Sequence, residues 1–448
     1  MGDTAAEARL PWDDAALYPK EPVRVRRYRR LQSWYRETQL DEAYAVLPGR
    51  PATATRPARE AQAVGSLLQP ALEPLADTRN FLAPSEFATE ILDYVNARVP
   101  QVRRAKGTLE EGRLRLNMLS SMPMCFNIFA PLRNRPAATC ALLQDLFGLD
   151  AQRLVDIHGI GGIECEWAPP RAHGALDGSA FDAVIAYADS YERVGLLGIE
   201  TKYTDSFSPK QYAQPGIADE ADRRRTYIAA MRQSGWFKDG SADVLWQSAT
   251  NQMWRNTMLA GVCESLPGVA TAHVATVRLY DDPGADRAVS AVRQQLIDGS
   301  KLIDVPLERL LRNPPPDLVD WAHALQRRYT DLSPVEKATE QNRATLQNRL
   351  DEWFPRGCWV QAEAWRSTPY EFGCPRPLAK LRADHVLVVH LWREDHWSGD
   401  YPLSPRRIIR RNRERCEIEI DAGRWRLSSE VPELYAAALA TQREQLLA

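Results

Sequence analysis

The sequence predicts an α/β protein, with a central mixed sheet flanked by helices, an N-terminal helical region and a C-terminal α+β module. Two observations carry this. Three short apolar runs, Gly159–Trp167, Phe181–Tyr187 and Leu196–Tyr203, are joined by connections too short for crossover helices, so they read as an antiparallel meander. A helical stretch at Val244–Ala260 then leads into a further strand, Thr271–Tyr280, and that order of elements makes the sheet mixed.

A chain of 448 residues has room for two or three domains. We read residues 1–60 as a basic helix and linker, 61–332 as the main domain, and 333–448 as an accessory domain that binds nucleic acid or protein. The net charge of −2 gives no global basic field, so a polyanion must meet a local patch. The seven cysteines form no CxxC pair or regular framework, which suits reduced thiols in a cytoplasmic protein. No apolar run approaches the roughly 18 residues of a membrane span, and the polar N-terminus does not read as a signal peptide. GxxxxGK[ST], GxSxG and HExxH are all missing, so ATPase, serine-hydrolase and zincin readings have no support. His385, His390 and His396 with Cys374 fit no standard zinc spacing.

In chain order, Arg24–Leu47 has a helical pattern with a basic, aromatic start. Its arginines could meet a nucleic-acid backbone while Tyr28, Trp34 or Tyr35 stacks on bases, or the helix could bury those aromatics in a core. Residues 48–60 hold three prolines and read as a linker. From 61 to 148 the pattern is mainly helical, with Ser85 as the expected N-cap of one helix. The stretch from Gly112 to Asn134 is apolar but carries Asn117, Ser120, Ser121 and Asn127, which either hydrogen-bond a substrate or cap helices and turns. After the three strands, Gln247, Asn251 and Arg255 stand four apart and share a helical face. Residues 303–330 read as one or two closing helices broken at Pro314–Pro316, and 333–448 as a polar helix followed by β-type runs.

The chemistry concentrates on the second and third strands. Alternation puts Leu197, Ile199, Thr201 and Tyr203 on one face of the third strand, and Gly198, Glu200 and Lys202 on the other. A carboxylate and an ammonium on a strand this apolar are costly to desolvate unless they face a site. The chain has 49 arginines and 8 lysines, and among those lysines only Lys202 has an acid two residues before it. Asp182 begins the neighbouring strand, and Glu164 and Glu166 share a face of the first. Phosphodiester cleavage needs an activated water, neutralised phosphate charge and help for the leaving oxygen. Mg²⁺ or Mn²⁺ held by a few carboxylates supplies much of that. Asp182 and Glu200 are the expected metal ligands, with the Thr201 carbonyl as a third. Lys202 is expected to orient the water and screen the phosphate, and Glu166 or Glu164 to add a carboxylate. Gln247, Gln252 and Arg255 are placed to hold phosphate or water.

Asp182 in FDAVIAY, Glu200-Thr201-Lys202 in GIETKY and the helix NQMWRN together resemble the PD-(D/E)XK nuclease superfamily, and within it a prokaryotic family. LNMLSSMPMCFNIFAPL and IECEWAP extend the resemblance. It implies a restriction-endonuclease-like fold and Mg²⁺-dependent DNA cleavage. It carries catalytic roles to Asp182, Glu200 and Lys202, and extends to Glu166, Gln252 and Arg255. One departure is Phe181, which stands where the superfamily's name has proline. The expected protein is thus a cytoplasmic bacterial nuclease acting on DNA (RNA is not ruled out), in restriction, repair or defence. A homodimer would suit two-strand cuts. The alternative is a nuclease-fold binding protein whose catalysis has lapsed. Ser404–Arg415, with Arg406, Arg407, Arg410 and Arg411, is either a DNA grip or a solvated helix.

Overall fold

The computed structural model describes residues 22–49, 61–105, 109–169, 179–205, 220–246 and 249–338, a few isolated positions between them, and four strands within 359–427. The described residues fall into two compact units. One comprises 35–46 and 66–331; the other draws on residues before 35, between 47 and 65, and after 331.

Along the chain run α1 (Val23–Thr38), β1 (Tyr44–Leu47), β2 (Gln62–Leu68), α2 (Phe87–Arg104), α3 (Glu111–Leu116), α4 (Ser121–Arg133) and α5 (Pro136–Phe147). The sheet region follows with β3 (Arg153–Leu154), β4 (Asp156–Ile157), β5 (Ile160–Gly161), β6 (Ile163–Trp167), β7 (Phe181–Ala188) and β8 (Val194–Lys202). Then come α6 (Glu220–Ser234), α7 (Ser241–Leu245), α8 (Asn251–Cys263), β9 (Val269–Arg278), α9 (Pro283–Gln294), β10 (Leu302–Pro306), α10 (Leu307–Leu310) and α11 (Val319–Leu325).

The six-stranded sheet has the order β10-β9-β8-β7-β3, with β6 also paired to β7. β6, β7 and β8 are antiparallel, as their short connections require, whereas β9 lies parallel to both β8 and β10. The sheet is therefore mixed, as the sequence predicts. Helices cover both faces. Val184 and Ala186 of β7, Leu196 of β8 and Ala272 and Val274 of β9 share a core with Met253, Trp254 and Met258 of α8. On the other face, the Thr201 hydroxyl oxygen lies 3.4 Å from the Ser121 carbonyl of α4. Alternation along β8 thus separates Thr201, toward α4, from Glu200 and Lys202, toward α8.

Several local expectations are corrected. The first predicted strand is interrupted at Gly162, whose φ of +76° turns the chain between β5 and β6. The helix predicted over 244–260 is broken between α7 and α8. Residues 302–306 form a strand, because Val305 and its neighbours complete the parallel edge beside β9. Glu86, not Ser85, precedes α2, and no side chain caps that helix. In α1, Tyr28 and Tyr35 are buried, with Arg26, Arg30 and Arg36, so the two tyrosines serve packing and offer no stacking surface.

Four further strands, β11 (Trp359–Trp365), β12 (Val386–Trp392), β13 (Cys416–Asp421) and β14 (Arg424–Leu427), form an antiparallel sheet in that order. The first three correspond to the β-type runs read from the sequence. Arg406, Arg407, Arg410 and Arg411 lie outside the described residues, as do Cys374, His385 and His396.

Candidate active site

The antiparallel ladder between β7 and β8 reaches Ala183↔Ile199. Just beyond the last regular pair stand Asp182 of β7 and Glu200 of β8. Close backbone approach makes this possible: the Phe181 ring lies where a Cβ on Gly198 would stand. That ring stacks on Trp167 at a 6.4 Å centroid distance and 2° between planes. Phe181, in the position of the superfamily's proline, thereby anchors the residue before Asp182.

Asp182 is held from β8. Its Oδ2 accepts hydrogen bonds from the Thr201 backbone N–H and hydroxyl, both at 2.7 Å. Among the described residues, nothing donates to Oδ1. Burial, then the nearby Glu200 charge, pushes the Asp182 carboxyl up to about 7, against the lowering effects of Lys202 and Thr201.

Glu200 is 2% exposed and takes three donors from within the chain. Oε1 accepts from the Lys202 ammonium at 2.6 Å and from the Gln252 side-chain amide at 2.5 Å. Oε2 accepts from the side-chain amide of Asn256. Burial works against the Lys202 ammonium, but the Glu200 and Asp182 carboxylates outweigh it and raise its pKa. A buried charge so paired is tolerated where a lone one would not be.

The structure separates the two glutamates of β6. Alternation would place both on one face, yet Glu166 has a φ of +51°, which re-aims it. Glu164 is captured by Arg133 (2.8 Å), Arg98 (3.4 Å) and the Tyr94 hydroxyl (3.0 Å), a structural anchor to α2 and α4. Glu166 is within electrostatic reach of Asp182 and Glu200. Burial first, and those two carboxylates next, push it up to about 8, while Arg98 and Arg113 pull down.

Three carboxylates thus lie within electrostatic reach of one another at one end of the sheet, beside one lysine, and perturbed acids of this kind are a mark of functional sites. Well over half of the chain, residues 19–331, matches the family model of the PD-(D/E)XK nuclease superfamily. The chain belongs to that superfamily. Membership carries a nuclease-type hydrolase function, with nucleic acid as the partner class. Comparison with curated proteins and with solved structures gives no match. The mixed sheet and its flanking helices agree with the restriction-endonuclease-like fold of PD-(D/E)XK proteins. Among the described residues, no helix is long and apolar enough to cross a membrane.

The other sequence-predicted residues of this PD-(D/E)XK chain distribute unevenly. Ser121 sits at the site's border: its N–H donates to Asp205 (3.5 Å), and its carbonyl lies 3.4 Å from the Thr201 hydroxyl oxygen. Thr201 is engaged through its N–H and hydroxyl with Asp182. Asn127 is fully buried, donating to the Asn80 carbonyl (3.1 Å) and the Tyr329 hydroxyl (2.6 Å), so its amide is taken up by the core and not by a substrate. Arg255, on α8, donates to Ser179 (3.1 Å). Gln252 reaches Glu200, in place of the phosphate or water expected for it. Gln247 lies outside the described residues. Asn256 was not singled out. Its signal is the spacing of four from Gln252, which puts two amides on one face of α8.

Proposed function

We propose that the protein is a divalent-metal-dependent nuclease that hydrolyses phosphodiester bonds in DNA through Asp182, Glu200 and Lys202. One observation carries this reading: an acid at the start of β7 and a Glu-x-Lys pair at the end of β8 converge, with the Lys202 ammonium 2.6 Å from Glu200. The residues suit a small hard cation. Asp182 keeps Oδ1 open, and Glu166 contributes a further carboxyl with no hydrogen bond among the described residues. The repulsion that raises Asp182 and Glu166 is what a bound cation would relieve. Among the described residues no group of three His, Cys, Asp or Glu side chains is preassembled around a metal position.

Asp182 and Glu200 would hold Mg²⁺ or Mn²⁺, with the Thr201 carbonyl as a further ligand. When bound, the ion supplies charge neutralisation at the phosphate and a lowered pKa for an attacking water. The chain's own residues do the rest. Lys202 stays protonated at neutral pH and sits beside the carboxylates, where it orients a water and balances negative charge developing on the phosphate. Thr201 fixes the Asp182 carboxylate by two donors, so that it does not reorganise when substrate arrives. Glu166, once ionised, would accept a proton from a water near Asp182. Arg255 and Ser121 at the border are candidates for phosphate contact.

The test is incubation of purified protein with linear, circular and single-stranded DNA, and with RNA, in Mg²⁺, Mn²⁺ or EDTA. Cleavage of DNA is expected only with metal, falling at least about 100-fold in Asp182→Ala and Lys202→Ala. Wild type that cleaves nothing and behaves like the variants would leave a nucleic-acid-binding protein of lapsed activity.

A further inference from the structure

The carboxylate of Glu200 offers two oxygens with about four lone-pair directions between them. Three are occupied from within the chain: Lys202 and Gln252 on Oε1, and Asn256 on Oε2. The last two donors stand one helical turn apart on α8, whose neighbouring positions Met253, Trp254 and Thr257 are buried in the core. The amides are therefore mounted on a rigid element, and Asn256 itself is 2% exposed. The helix is held against the sheet by more than this contact, since the Thr276 hydroxyl of β9 lies 3.2 Å from the Met253 sulfur. The Asn256 amide, 2% exposed, is enclosed by that packing, whereas the Gln252 side chain is half-buried.

We infer that Gln252 and Asn256 are positioning residues that restrict Glu200 to ligation of a metal ion through one lone pair, and so favour Mg²⁺ or Mn²⁺ over Ca²⁺. The inference rests on the metal-dependent reading of the site. Its physical basis is coordination geometry. Mg²⁺ takes six near-ideal octahedral ligands and is satisfied by single carboxylate oxygens and waters. Ca²⁺ takes six to eight oxygens and commonly draws both oxygens of a carboxylate. With Oε2 tied to Asn256 and Oε1 shared between Lys202 and Gln252, Glu200 cannot present both oxygens to one ion. Removing the Asn256 amide releases Oε2 and lets Glu200 rotate into two-oxygen ligation. Removing Gln252 frees Oε1 only in part, because Lys202 remains.

The experiment is direct titration of metal-free full-length protein with Mn²⁺, Mg²⁺ and Ca²⁺ by calorimetry, with Mn²⁺ also followed by electron paramagnetic resonance. Wild type, Gln252→Ala, Asn256→Ala and Asn256→Leu are compared, the last keeping the volume while removing the donor. Asn256→Ala and Asn256→Leu are expected to bind Mn²⁺ about 10-fold more weakly, the usual effect of losing an outer-shell partner, while the Mn²⁺-over-Ca²⁺ preference narrows. Gln252→Ala should move the same way by less. A melting temperature for each metal-free variant separates folding loss from altered selectivity, because a merely structural amide lowers the melting temperature without changing the ratio. Variants that bind Mn²⁺ and Ca²⁺ in the wild-type ratio would overturn the inference while leaving the metal site intact. Wild type that binds none of the three ions would instead overturn the metal-dependent reading, and the inference with it.

Discussion

Replacing Asp182 with asparagine should stabilise the metal-free protein at alkaline pH. The Asp182 carboxyl is pushed from 3.8 to about 7 by burial and by Glu200. A raised folded-state pKa means that the native chain holds a proton that the unfolded chain has released, so stability falls as pH climbs from about 4 to about 7. A shift near three units corresponds to about 4 kcal/mol at most. Because Glu166 shares the repulsion, a single substitution should recover about 2 kcal/mol of it. Asparagine preserves the shape, and its side-chain oxygen can still accept from the Thr201 N–H and hydroxyl. For a domain of this size the gain is on the order of 5 °C in melting temperature. The assay is thermal denaturation of both proteins in EDTA at pH 5 and pH 8, then in saturating Mn²⁺. Asp182→Asn should melt higher than wild type at pH 8, and the gap should close toward pH 5. Mn²⁺ should raise wild type, by about 2.7 kcal/mol at a hundred times its dissociation constant, and not the variant. A variant less stable than wild type at pH 8, or a gap independent of pH, would refute the idea that this carboxylate is held there at a cost.

Other outcomes follow from the same geometry. Glu166→Gln should likewise stabilise the metal-free protein at pH 8, and with Asp182→Asn the gains should add to less than their sum, as measured in a double-mutant cycle. Gly198→Ala should destabilise by about 1–3 kcal/mol in urea titration, because the new Cβ meets the Phe181 ring; an unchanged midpoint would contradict the close approach. Burial, with Lys301 nearby, pushes His273 down to about 4, and its buried Nδ1 has no partner among the described residues. The unfolded chain therefore binds the extra proton first, and stability should fall by about 3 kcal/mol as pH drops from 6.5 to 4; His273→Gln should flatten that part of the profile.

The strands that matter were legible because their signal is local. FDAVIAY and LLGIETKY alternate or run apolar over a few residues, and the short connections between them allow only antiparallel pairing. Asp182, Glu200 and Lys202 followed from the same reading, since a charged pair in an otherwise buried strand is expensive wherever it occurs. The helix face was less legible. Pattern alone ran 244–260 together as one helix and aligned Gln247 with Asn251 and Arg255, whereas the chain breaks before Asn251 and turns Gln252 and Asn256 toward Glu200 instead. Residues 302–306 read as helix because five residues hold too little periodicity to tell a buried strand from a buried helix, and pairing with β9 settles it.

What the sequence determined by itself was the choice of Asp182, Glu200 and Lys202 as candidates, and the alternation that sets Thr201 against Glu200 and Lys202. Tertiary structure alone decided which glutamate of IECEW joins them. Alternation makes Glu164 and Glu166 equivalent, but Arg133, Arg98 and Tyr94 arrive from α2 and α4 to claim the first, while the second, with a left-handed backbone, stays within electrostatic reach of Asp182 and Glu200. Contacts between residues distant in sequence carry no local periodicity, so no stretch of this chain read alone could have told the two apart.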